Sequence, residues 1–152
     1  MADVTTLHHT GFTVSDLERS LTFYEGLLGF EVVMRQEKQG GYLAEIVGYP
    51  DAHVKMAHLA LSGAGHRLEL FEYVNPPGEP HEVEPRQIGP THVCLVVADL
   101  PALYERLRAA GAGSFFTPPV EVDTGANAGG LALYLRDPDG IIIELFQPPT
   151  PR

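Results

Sequence analysis

The fold is decided by HHTGFTVSDL, residues 8–17, and by its echo THVCLVVADL, residues 91–100. Both stretches hold His, Val, Asp and Leu at one fixed spacing. In the first they are His9, Val14, Asp16 and Leu17; in the second, His92, Val97, Asp99 and Leu100. Each pair lies 83 residues apart (92 − 9). An alternating run that meets a Ser or Asp and then a leucine stripe reads as a strand feeding a capped helix. A chain that writes this phrase twice is expected to repeat one structural unit.

Outward from the first copy, Ser15 or Asp16 caps a helix running to about Leu28. Leu17, Leu21, Tyr24 and Leu28 form its buried stripe, and Gly29 closes it. FEVVMRQE then reads as a strand. GGYLAEIVGYPDAH has a turn at each end, which predicts a short strand between them. VKMAHLAL and HRLELFEY flank a glycine turn, as a hairpin does. In the second copy Asp99 caps a helix carrying Leu100, Leu103, Leu107 and Ala110, ended by Gly111. SFFTPPVEV is strand only in part, and LALYLRDPDGIIIELFQ is a hairpin about DPDG. Residues 75–90 are rich in proline and acid and cannot continue a sheet. The expected organisation is a first module over 1–74, a linker over 75–90 and a second module over 91–152.

Bulk properties narrow the function. The chain has 152 residues, 44% hydrophobic residues and a mean hydropathy of −0.02, an ordinary globular composition. Its net charge of −10 argues against nucleic acid and anionic membrane as partners. No run has the apolar length of a membrane span. MADVTTLHH lacks the basic and apolar regions of a signal peptide. The single cysteine, Cys94, fits a reducing compartment, and a cytoplasmic protein is expected.

The modules also correspond at their ends, where Glu69-Leu70-Phe71 matches Glu144-Leu145-Phe146. Strand alternation puts each His and each Glu on the face away from the helix. Taken singly, each histidine is an ordinary hydrogen-bonded strand residue, and Glu69 has Arg67 and His66 nearby as partners. Four matched positions favour a shared role. A glutamate inside IIIELF is costly to bury unless paired, protonated or metal-bound. Two imidazoles and two carboxylates suit one divalent ion: Zn, Ni, Co, Fe or Mn. His8 competes with His9, but the repeat selects His9. His58 can reach the same face. Cys94 shares the face of His92 and is expected to be a buried, inert thiol. Tyr42, Phe71, Tyr134 and Phe146 are candidates for an apolar wall.

HHTGFTVSDLERSLTFYEGLLGF and DPDGIIIELFQ resemble the vicinal oxygen chelate superfamily, and the resemblance covers nearly the whole chain. That superfamily includes glyoxalase I, methylmalonyl-CoA epimerase, extradiol dioxygenases and bleomycin-binding proteins. The resemblance implies an α+β fold of two paired βαβββ modules, forming a curled mixed sheet around a metal site. It implies His9, Glu69, His92 and Glu144 as metal ligands, the set of bacterial glyoxalase I. It implies a lyase or isomerase that works through a metal-stabilised enediolate or enolate. Glu144 is the first candidate for the base and Glu69 the second, with Glu45 next. Cys94, Phe71, His58, Arg67 and Tyr134 would line the substrate pocket. Arg35 and Arg67 are available to receive a carboxylate, although a glutathione-binding set is not evident. The alternative within the family is an Fe(II) dioxygenase using His9, His92 and Glu144, with Glu69 outside the triad. A non-catalytic small-molecule binder is a further alternative. The expected partners are a small-molecule substrate and a second copy of the chain, because open sheet edges need cover.

Overall fold

The computed structural model describes residues 3–89 and 92–150. The chain divides into two compact units, Met1–Pro80 and His81–Arg152. The first contains β1 (His9–Thr13), α1 (Leu17–Tyr24), β2 (Glu31–Gln39), α2 (Gly41–Val47), β3 (His53–Ala60) and β4 (Arg67–Asn75). The second contains β5 (His92–Val96), α3 (Leu100–Ala109), β6 (Ser114–Phe115), β7 (Val120–Glu121), β8 (Leu131–Arg136) and β9 (Ile142–Gln147). Residues 76–89 carry neither helix nor strand. The strand expected within THVCLVV is β5, and Pro90 and Thr91 lie outside the described residues.

Each unit is an open mixed sheet with helices, two in the first and one in the second among the described residues, so the α+β class holds. The first sheet is ordered β1-β4-β3-β2, the second β5-β9-β8-β6 with β7 also on β8. The first strand of each unit pairs in parallel with the last, β1 with β4 and β5 with β9. The crossover helix that such a parallel pair needs is α1 in one unit and α3 in the other.

The repeat extends to single hydrogen bonds. Asp16 caps α1 by accepting from Arg19 N–H, and Asp99 caps α3 by accepting from Ala102 N–H, both at 2.9 Å. Leu17 N–H donates to Glu72 at 2.9 Å, and Leu100 N–H donates to Gln147 at 2.7 Å. Val14 N–H reaches Phe71 O and Val97 N–H reaches Phe146 O, both at 2.8 Å. Each last strand therefore holds both the end of the first strand and the start of the helix. The helix sides are apolar: Tyr24, Leu59 and Leu70 are fully buried in one unit, and Leu100, Leu107, Leu135, Ile143 and Leu145 in the other. Each such leucine or isoleucine contributes about 1.5–3 kcal/mol by leaving water.

Three expectations are corrected. The segment read as a short strand, GYLAEIV, is helix α2. Leu43, Ala44 and Val47 recur at helical spacing against Ala52, Val54 and Met56, and Gly48 closes the helix at φ 76°. The flanking turns had hidden that period. Helix α1 ends at Tyr24, short of Leu28. Gly26 interrupts it, and the amides of Leu27 and Leu28 both turn back to Phe23 O. On α3, Ala110 is exposed and lies outside the buried stripe.

Candidate metal centre

In the first unit, β1 ends the sheet and presents His9, while β4 beside it carries Glu69. Gly11 is the register partner of Glu69 on one side and His58 on the other. Residues directly opposite on paired strands share a face. The consequence is a cluster about one buried carboxylate. Glu69, only 7% exposed, has Oε1 at 3.4 Å from His9 Nδ1 and 3.3 Å from His58 Nε2. Such partners are what a carboxylate out of water needs. The alternative partners named from sequence are used otherwise: His66 Nε2 lies 2.8 Å from Thr10 Oγ1, and Arg67 is exposed. Burial holds the His58 pKa below its ordinary value, against the pull of the Glu69 charge.

His8, set aside on sequence, belongs to this cluster. Its Nδ1 lies 2.8 Å from His9 Nδ1, and ligand atoms of His8, His9 and Glu69 all fall within 4.8 Å of one another. Alternation would have sent His8 to the opposite face. However, β1 begins at His9, so the pleat does not govern the residue before it. The doubled histidine was the signal available in the sequence.

In the second unit the matching pair is His92 and Glu144, with Nε2 to Oε2 at 3.1 Å. Glu144 has Cys94 as register partner on β5 and Tyr134 on β8. Tyr134 Oη lies 3.4 Å from His92 Nε2, and its ring stands 4.9 Å from the imidazole. Phe116 packs edge-on against Tyr134. Cys94 is exposed, which corrects the expectation of a buried thiol. Its pKa is nevertheless pushed up to about 11 by desolvation, by the Glu144 charge and by a hydrogen bond to Glu144. Desolvation and the same charge raise Tyr134. This thiol is therefore protonated at neutral pH.

The remaining candidates fall away from these clusters. Arg35 pairs with Glu18. Tyr42 and Glu45 are exposed on α2, with Lys38 over the Tyr42 ring. Phe71 is half-buried against the core beneath α2 and lies close to Gly11. The donor chemistry of both units, imidazole facing carboxylate, fits a divalent ion.

The chain belongs to the Glyoxalase/Bleomycin resistance protein/Dioxygenase superfamily, whose model matches residues 6–145. It is 30% identical over 147 residues to a 2-epi-5-epi-valiolone epimerase of an Actinomyces species, covering 95% of this chain and 80% of the relative. It is 28% identical over 145 residues to a lactoylglutathione lyase of Salmonella typhimurium, covering 93% of this chain and 91% of that one. Among solved structures, a glyoxalase family protein from Bacillus cereus superposes with a TM-score of 0.83 at 22% identity. That match covers 98% of this chain and 99% of the other. Members of the superfamily are mostly enzymes and typically bind a divalent metal. No helix among the described residues is long and apolar enough to cross a membrane.

Proposed function

We propose that this protein is a metal-dependent isomerase or lyase of the glyoxalase I type. It moves a proton at the carbon beside a carbonyl of a small oxygenated substrate. The observation that supports this reading is a facing His–Glu pair at matching places in the two units, His9 with Glu69 and His92 with Glu144. These four side chains would hold one divalent ion, Zn, Ni, Co, Fe or Mn, which supplies Lewis acidity toward the carbonyl oxygen. Glu144 takes and returns the proton. Its side chain is 22% exposed against 9% for Glu69, so it has more room to leave one partner and meet a substrate carbon. Glu69, flanked by two histidines, stays as a fixed ligand. Tyr134 and Cys94 stand beside Glu144 as neutral pocket walls. Arg67, exposed at the start of β4, is available to an anionic group of the substrate. The edge strands β1 and β2 of one sheet and β5 and β6 of the other invite pairing, and the working form is proposed as a homodimer in the cytoplasm.

The test is metal content by elemental analysis of wild type, Glu69→Ala and His92→Ala. The reading expects near-stoichiometric metal in wild type and its loss in both variants. Loaded protein is then given the glutathione hemithioacetal of methylglyoxal and a set of epimerisable carbonyl acids in deuterated water. Deuterium entering at the carbon beside the carbonyl supports proton transfer. Protein that carries no metal and accepts none refutes the reading and leaves a small-molecule binder.

One observation favours a second reading. His58 engages Glu69, which leaves His9, His92 and Glu144 as a two-histidine, one-carboxylate set for Fe(II). Oxygen uptake that requires ferrous iron would establish that dioxygenase instead.

A further inference from the structure

We propose that His58 is a positioning residue: its Nε2–H holds Glu69 in place for metal binding. This rests on the metal reading above and extends it to a side chain outside the four ligands. His58 sits on β3 directly opposite Glu69 on β4, in unbroken antiparallel register from Val54 to Ala60. Its Nε2 lies 3.3 Å from Glu69 Oε1, and its side chain is 18% exposed. The ring is thus fixed by a sheet interior and by partial burial, unlike His8 at the strand entrance.

His58 is also placed differently from a ligand. His8, His9 and Glu69 gather their ligand atoms within 4.8 Å of one another, and His58 stands outside that group. It approaches the carboxylate from the neighbouring strand. His9 and His58 both reach the same oxygen, Oε1. When His9 gives the lone pair of Nδ1 to an ion, that atom no longer serves Glu69 as a donor. His58 Nε2, 3.3 Å from Oε1, is placed to donate whenever it carries the ring proton. Outer partners of this type orient a ligand, and their loss typically costs about 10–100-fold in metal affinity.

The second unit sharpens the point. Tyr134 occupies the matching position, opposite Glu144 on the middle strand, and its hydroxyl lies near His92 rather than between the two groups. Each middle strand thus offers one polar side chain to its His–Glu pair, but only the first offers a second imidazole to the carboxylate itself.

The test uses full-length protein and zinc, with affinity measured by competition against a chromophoric chelator. The variants are His58→Gln, which keeps an N–H donor, His58→Leu, which keeps none, and His66→Ala as a control just before β4. The proposal expects zinc binding about 10–100-fold weaker in His58→Leu, within about threefold of wild type in His58→Gln, and unchanged in His66→Ala. Equal affinity in wild type and His58→Leu overturns the proposal and leaves the metal reading intact. Equal loss in His58→Leu and His58→Gln also overturns it, because His58 would then be a ligand. Wild type that takes up no zinc overturns both. If His58→Leu does not fold, the wild type still decides: a ¹⁵N–¹H correlation of the zinc-loaded protein should place the His58 ring proton on Nε2, and a proton on Nδ1 alone overturns the proposal.

Discussion

Glu72 and Gln147 hold matching places in the two units, and the difference between them makes a measurable prediction. Glu72 Oε2 accepts the Leu17 N–H at 2.9 Å and Oε1 accepts Lys55 Nζ at 2.8 Å. Gln147 accepts the Leu100 N–H and shows that an amide suffices for that bond. Glu72→Gln should therefore keep the helix anchor and lose only the ion pair. Lys55 has a side chain 43% exposed, and such a pair contributes at most about 1 kcal/mol. Glu72→Ala loses the anchor as well and strands a backbone donor beside the buried Leu17, for a total of about 2 kcal/mol. At about 2–4 °C per kcal/mol for a chain of this size, the Ala variant should melt roughly 4–8 °C below wild type and the Gln variant at most about 4 °C below. The effect has a pH signature. Hydrogen bonds from Lys55 and from Leu17 hold the Glu72 pKa below its ordinary value. A depressed carboxylate stabilises the fold above its unfolded pKa, and that contribution fades as pH falls through the folded pKa. The Glu72 bond and charge raise Lys55, so the pair persists on the alkaline side until pH passes the folded lysine value. The gap between wild type and Glu72→Gln should hold from about pH 5 to 10 and close as pH falls through the folded Glu72 value, which lies below the ordinary carboxylate range. Urea unfolding across that range measures it. Equal losses in the Gln and Ala variants, or a gap that does not narrow at all as pH falls below the ordinary carboxylate range, would refute the reasoning.

Two further outcomes follow from the same geometry. Cys94, although exposed, should react with a disulfide reagent at about pH 8 roughly tenfold more slowly than a free thiol, because its pKa is pushed up to about 11 and the scarcity of thiolate outweighs its higher nucleophilicity. Glu144→Gln removes the charge that opposes ionisation and should speed the reaction; a wild-type rate equal to a free thiol would contradict the assignment. Gly48→Ala should cost about 1–2 kcal/mol in urea unfolding, since Gly48 closes α2 at φ 76° with open space around its Cα. A neutral result would mean that α2 ends by another route.

What the sequence made legible was whatever the repeat wrote twice. Asp16 and Asp99 as caps, His9 and His92 on first strands, and Glu69 and Glu144 on last strands could each be checked against a second copy. Helix α2 has no counterpart among the described residues of the second unit, and its seven residues lie between two turns, so a strand and a helix looked alike. His58 and Tyr134 were visible as pocket candidates, but no pattern tied either to a particular partner. That tie comes from register across three strands, which alternation within one strand does not encode. His8 was lost for a different reason: the repeat selected His9, and the residue matching His8 in the second copy is Thr91.

The divergence between the units is therefore the most informative feature of the site. Duplication supplies two equivalent His–Glu pairs, and a site of equivalent carboxylates has no built-in assignment of ligand and base. The residues flanking each glutamate break that equivalence. Glu69 has Gly11 on one side and His58 on the other, and is buried. Glu144 has Cys94 and Tyr134, two neutral groups whose own ionisation its charge suppresses, and it remains more open. Both carboxylates face an imidazole of the first strand, and Glu69 alone meets a second imidazole from the middle strand. The proton transfer proposed above would use one carboxylate that stays and one that moves, and the partners on the middle strands β3 and β8 are where the two glutamates differ.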